Sequence, residues 1–108
     1  MRYLKWGLPL ACLLAMSSAN TLAAGDAKAG AIKAQPCMGC HGIEGYANAY
    51  PTYRVPRLGG QRADYLVKAL EAYKKSNRHH KTMQAQAGSL SEQDMQDIAA
   101  YFAAFGSK

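Results

Sequence analysis

The 108-residue chain is poor in the residues that usually staple small proteins, with three cysteines and one tryptophan. Cys12 and Trp6 fall within the first 23 residues, so only Cys37 and Cys40 remain beyond them. Two cysteines cannot build a disulfide framework. No internal repeat and no low-complexity tract is present. The longest apolar run, LPLACLLAM, is shorter than the ~20 residues that a bilayer-spanning helix needs. Acidic side chains are scarce as well, 7 against 13 basic ones, giving a formal charge of +6.

What is present at the N-terminus has the form of a secretory signal. MRYLKWG carries Arg2 and Lys5, LPLACLLAM is apolar, and SSANTLAAGD supplies small residues. Cleavage is expected after Ala23, with Ala24 nearly as good, and a retained N-terminal anchor is the alternative. Residues 24–108 then form one domain in the periplasm. Removal of Arg2 and Lys5 lowers the basic residues from 13 to 11 against 7 acidic ones, a formal +4. A domain this small buries only ~60–65% of the surface its unfolded chain exposes. It needs a staple of another kind, and a wide apolar prosthetic group would serve.

The chain reads as all-α, with three helices and no convincing strand. GDAKAGAIKAQ forms the first, with Asp26 as N-cap and Pro36 as its stop. Gly39 to Gly60 is expected to be an ordered loop. Arg62 to Lys75 carries Leu66, Leu70 and Tyr73 at helical spacing, flanked by Val67 and Ala69. SNRHHKTMQAQAGSL reads as loop again. Ser91 and Asp94 form the Asp variant of a capping box, opening a helix over Glu92 to about Ala104. Its apolar stripe is Met95, Ile98, Ala99 and Phe102.

The chemistry concentrates in QPCMGCHG. A disulfide oxidoreductase would carry C-x-x-C after a strand, and here a helix and Pro36 precede it. A structural zinc site would need His79 and His80 as a second ligand pair, and adjacent histidines lack the usual spacing. C-x-x-C-H is the signature of covalent haem c. Cys37 and Cys40 can add across the two vinyl groups of the macrocycle, which carries His41 beneath the ring as an iron ligand. The His41 Nδ1–H would need a partner to fix the imidazole. Bacterial thioether attachment takes place outside the cytoplasm, in agreement with the signal.

Candidates for the opposite face are Met38, Met83, Met95, His79 and His80. Met38 lies inside the attachment loop, and Met95 fits core filling. Met83, in a loop among polar residues, is the favoured ligand. A histidine from His79 or His80 is its rival, and two solvated loop histidines are the bland reading of that pair. Two protein ligands would close the iron and suit it to electron transfer, whereas one would leave it open to gases or peroxide.

Three segments, GDAKAGAIKAQPCMGCHG, PRLGGQRADYLVKAL and MQAQAGSLSEQDMQDIAAYFAAF, together resemble the class I c-type cytochromes of the bacterial c4/c553-like monohaem group. The resemblance covers nearly all of residues 24–108. It implies a cytochrome c fold around one covalent haem, with His41 the proximal and Met83 the distal ligand. It further implies that the Pro56 carbonyl accepts from His41, and that Gly30 meets Tyr101 where the first and last helices cross. Arg78 resembles a basic residue near the haem propionates. The chain departs from the group in its crowded basic loop, KKSNRHHK.

The expected role is a one-electron carrier and not an enzyme. An electron-transfer subunit of a larger oxidoreductase is the alternative, and an open-site peroxidase or gas sensor a further one. Lys74, Lys75, Arg78 and Lys81 would steer acidic redox partners of a respiratory or periplasmic chain. The competing reading is a solvated loop whose charges offset the propionates. Tyr46, Tyr50 and Tyr53 are expected to pack around the haem. No base-stacking motif supports nucleic-acid binding, and membrane contact is expected only through membrane-bound partners.

Overall fold

The computed structural model describes residues 24–50 and 52–105. The expected secretory signal therefore lies outside the described residues. Five helices and one small hairpin follow in order: α1 (Ala27–Lys33), α2 (Gln35–His41), β1 (Ala47–Ala49), β2 (Thr52–Arg54), α3 (Ala63–Lys74), α4 (Lys81–Gly88) and α5 (Glu92–Ala104). Among the described residues, no helix is long and apolar enough to cross a membrane.

Asp26 caps α1 as expected, its carboxylate accepting from the Lys28 and Ala29 amides. Pro36 does more than stop this helix. Proline has no N–H to donate, which costs nothing in the first turn of a helix. Pro36 occupies that first turn of α2, and the chain restarts immediately at Gln35. Ala34, fully buried, is the joint between the two helices. The attachment sequence is thus helical and not a loop.

α5 begins at the expected Ser91–Asp94 capping box, with both bonds at 3.0 Å. It is the centre of the fold, packing against α1 on one side and α3 on the other. Ala34, Leu66, Ile98, Ala99 and Phe102 form the buried cluster, and Met95 is also buried. Gly30 permits the α1–α5 crossing. A Cβ there would overlap the Asp97 carbonyl and come within 2.8 Å of the Tyr101 Cβ.

The crossing is locked by a polar cluster that the sequence did not announce. Asp97 is 3% exposed. It accepts from the Asp26 amide at 2.8 Å, the Lys33 ammonium at 2.7 Å and the Gln93 amide at 2.9 Å. Lys33 also reaches Asp94 at 2.8 Å. The Asp26 amide, followed by Lys33 and Gln93, holds the Asp97 carboxyl down at about 2. Lys33, with the Ser91 amide and hydroxyl, does the same for Asp94. Each bond favours the charged carboxylate over the neutral acid.

Two segments read as loop are ordered into elements. Ala47–Arg54 folds as an antiparallel hairpin, Ala47 opposite Arg54. The chain between α3 and α5 contains α4. It is reached through a Schellman turn, in which the Asn77 amide donates to the Ala72 carbonyl at 2.8 Å and the Ser76 amide to Tyr73 at 3.1 Å. Ser76 takes the left-handed conformation (φ 62°) that glycine usually fills there.

Candidate haem-binding site

α2 places Cys37 and Cys40 one turn apart, with His41 at its C-terminal end. Both cysteines are free thiols; Cys37 is half-buried and Cys40 exposed. Burial pushes the Cys37 thiol above its ordinary value, and Cys40 adds to this. A thiol primed for disulfide exchange is shifted the other way. The zinc reading fares no better, since among the described residues no three His, Cys, Asp or Glu side chains converge.

The segment after β2 fixes His41. Val55 donates to the Tyr46 carbonyl at 3.1 Å, Leu58 packs on the core cluster, and the Gly60 amide donates to the Phe102 carbonyl at 2.9 Å. Gly59 lies so close to Phe105 that a Cβ would come within 2.8 Å of its ring. Held at both ends, this segment presents the Pro56 carbonyl 2.7 Å from His41 Nδ1. A carbonyl only accepts, so Nδ1 carries the ring proton and Nε2 keeps its lone pair. That nitrogen is the one a metal would use.

His80 has the opposite tautomer. It is the N-cap of α4, and its Nδ1 accepts from the Met83 amide at 3.3 Å. An amide only donates, so the lone pair is on Nδ1 and the proton on Nε2. Nε2–H has nothing to offer iron. The Tyr53 ring stands edge-on to His80, centroids 4.8 Å apart at 89°. His79 is exposed. The pair is therefore not two equivalent loop histidines, and one of them is structural.

The remaining candidates separate as follows. Met83 is half-buried and sits in the first turn of α4, not in a loop. Met95 is 2% exposed and fills the core. Met38 packs against the core cluster, its sulfur 4.0 Å from the Tyr101 hydroxyl. The Arg78 guanidinium lies 4.6 Å above the Tyr73 ring. Lys74 donates to the Leu90 carbonyl. It lines a cavity of about 150 Å³ with Lys75, Glu71, Glu92 and Met95, so Lys74 and Lys75 have acidic neighbours. Tyr50 is 94% exposed, while Tyr46 and Tyr53 are half-buried.

The residues present fit a haem held through two thioethers. Two unpaired thiols on α2 precede an imidazole whose Nε2 keeps its lone pair. Cys37, Leu58, Val67, Leu70 and Leu90 pack on the core while staying partly open, leaving apolar surface for a broad apolar group to cover.

Comparison with known proteins agrees. Residues 27–104 match the cytochrome c family. The chain belongs to that family. It is a class I c-type cytochrome of the c4 type, and haem c is the cofactor of its family. It is 44% identical over 81 residues to cytochrome c4 of Pseudomonas aeruginosa. That match takes in 75% of this chain and 39% of the relative. Cytochrome c-554(548) of Halomonas halodenitrificans is 43% identical over 82 residues, 73% of this chain and 95% of the relative. The chain thus spans about two fifths of one relative and nearly all of the other. Reduced recombinant cytochrome c4 from Pseudomonas stutzeri superposes with a TM-score of 0.63 at 37% identity, over 76% of this chain and 46% of that one. Cytochrome c4 of Acidithiobacillus ferrooxidans gives 0.59 at 32% identity, over 83% and 55%.

Proposed function

We propose that this cytochrome is a periplasmic one-electron carrier with a single haem c. Cys37 and Cys40 would hold the group through thioether bonds, and His41 and Met83 would ligate its iron. The observation that carries the reading is the 2.7 Å bond from His41 Nδ1–H to the Pro56 carbonyl. It supports the reading by favouring the tautomer and ring orientation that an imidazole ligand requires.

The bound group supplies a reversible one-electron change at iron. The chain's own residues do the rest. Pro56 accepts the His41 Nδ1–H and keeps the imidazole aimed. The partly open apolar residues of α2, α3 and the Leu58 segment exclude water from one side. A thioether from Met83 favours the reduced state over what a second imidazole would give. With His41 and Met83 both supplied by the protein, no substrate would bond to iron, and partners would need only brief contact.

Lys74, Lys75, Arg78 and Lys81 give the α3–α4 connection its positive charge, which supports docking of acidic redox partners. Glu71 and Glu92 beside Lys74 and Lys75 reduce that field, so Arg78 and Lys81 carry more of the steering. Arg78, engaged with Tyr73, is assigned to this surface in preference to a propionate.

The oxidised and reduced optical spectra of protein expressed in a periplasm test the whole reading. A haem that resists acid-acetone extraction, lost in the Cys37→Ser, Cys40→Ser double variant, is expected. The oxidised protein should show the weak far-red band of methionine-to-Fe(III) charge transfer, and Met83→Ala should lose it. Rapid carbon monoxide binding by the reduced wild type at neutral pH would instead establish an open site.

A further inference from the structure

We infer that His80 is a positioning residue for Met83, and that Tyr53 holds it in place. The inference rests on the reading of Met83 as the distal ligand. The first-turn amides of a helix have no partners within the helix. In α4 the Met83 amide, at the third helical position, is taken by His80 Nδ1. The His80 carbonyl accepts from Gln84 at 2.8 Å, so one residue starts the helix with both its side chain and its backbone. No acidic side chain stands in that first turn to replace it.

Histidine is an unusual cap, because Ser, Thr, Asp and Asn make the same bond with fewer atoms. What the ring adds is a face for Tyr53, which stands perpendicular to it on β2. Tyr53 lies three residues before Pro56, the partner of His41. One short segment of chain, tied down at Val55, Leu58 and Gly60, therefore reaches both proposed axial ligands. Pro56 sets the imidazole, and Tyr53 acts through His80 on the backbone of the methionine. The tautomer that makes His80 a cap is also the one that prevents Nε2 from binding iron, so the two roles exclude each other.

The test is displacement of the methionine by added imidazole in the oxidised holoprotein, followed by loss of the far-red band. His80→Ala removes both acceptor and ring. His80→Asn keeps an acceptor at the same δ position and loses only the ring. Loss of a cap corresponds to a factor of about five in an equilibrium, or about 1 kcal/mol. His80→Ala is expected to bind imidazole about fivefold more tightly than wild type. His80→Asn should recover most of the difference, and Tyr53→Ala should fall between them. Wild-type affinity in His80→Ala overturns the inference. If that variant does not accumulate, His80→Gln replaces it: the acceptor is then one atom too far, and equal affinities in the Asn and Gln variants overturn the inference. Failure of the underlying reading looks different. A far-red band that survives Met83→Ala removes Met83 as ligand, whatever the His80 variants do. An iron that loses its second strong ligand in His80→Asn but not in Met83→Ala overturns both.

Discussion

The Lys33 ammonium lies 2.7 Å from the Asp97 carboxylate across the α1–α5 crossing, and 2.8 Å from Asp94 one turn earlier. Both carboxyls are held at about 2 in the folded protein, below their ordinary 3.8, while Lys33 is raised above its ordinary 10.5. In acid the unfolded chain therefore binds more protons than the folded one, and stability falls as the pH is lowered. The carboxyl contribution is complete above about pH 5 and drains away as pH drops through about 2. For Lys33 the sign reverses: its contribution is complete below pH 10.5 and is lost as pH rises further. Asp97→Asn should flatten the acid limb of a stability curve measured by circular dichroism between pH 5 and 2. Superimposable acid limbs for variant and wild type would sink this account.

Two glycines should respond in opposite ways. Gly30→Ala forces a Cβ into the Asp97 carbonyl and the Tyr101 Cβ, neither of which can rotate aside. Overpacking of this kind costs about 1–3 kcal/mol or more. Gly39 lies inside α2 with nothing within 4 Å of a Cβ. Gly39→Ala should leave stability unchanged or raise it by up to about 1 kcal/mol, because alanine is the better helix former. Thermal unfolding of the two variants side by side checks both.

Ser76 occupies a left-handed position with φ 62°. That conformation costs an L-residue about 1–2 kcal/mol, part of which glycine returns in extra chain entropy. Ser76→Gly is expected to stabilise by roughly 0.5–1 kcal/mol, as a higher urea midpoint at unchanged slope.

Ser91→Ala removes the side-chain half of the capping box that starts α5. The expected loss is about 1 kcal/mol. Phe102→Ala, at the centre of the buried cluster, should cost ~3–5 kcal/mol, because so small a core cannot collapse around the hole. Denaturant titration that ranks the two in the reverse order would show that α5 is held by its cap more than by its packing.

The sequence made α5 and α3 plain, because their apolar residues recur at helical spacing and Ser91 and Asp94 are standard cap partners. It hid α4. KTMQAQAG has no apolar stripe, and its cap is a histidine, which lies outside the usual set. The only available signal was spacing: His80 stands three residues before Met83, the interval from an N-cap to the amide it serves. α2 was hidden by Pro36, which ends one helix and opens the next with the same chemistry. The hairpin has strands of three residues with no β-branched alternation, and it is held by Tyr46, Val55 and the Tyr53–His80 contact, none of them local signals. At the candidate site, the motif singled out Cys37, Cys40 and His41 and the resemblance singled out Pro56, whose carbonyl does meet His41. The Asp97 cluster was not legible, because Asp26 and Lys33 lie 71 and 64 residues before Asp97 and nothing local marks Asp97 for burial.

That separation has a consequence for how the molecule is made. α1, the first described helix, finds its main packing partner in α5, the last described one. In synthesis and in export alike α1 emerges well before α5, and contacts between distant parts of a chain form late. Until then the emerging polypeptide has no closed core. Cys37 and Cys40 follow α1 directly, so throughout that interval they sit on an unfinished fold, accessible from every side.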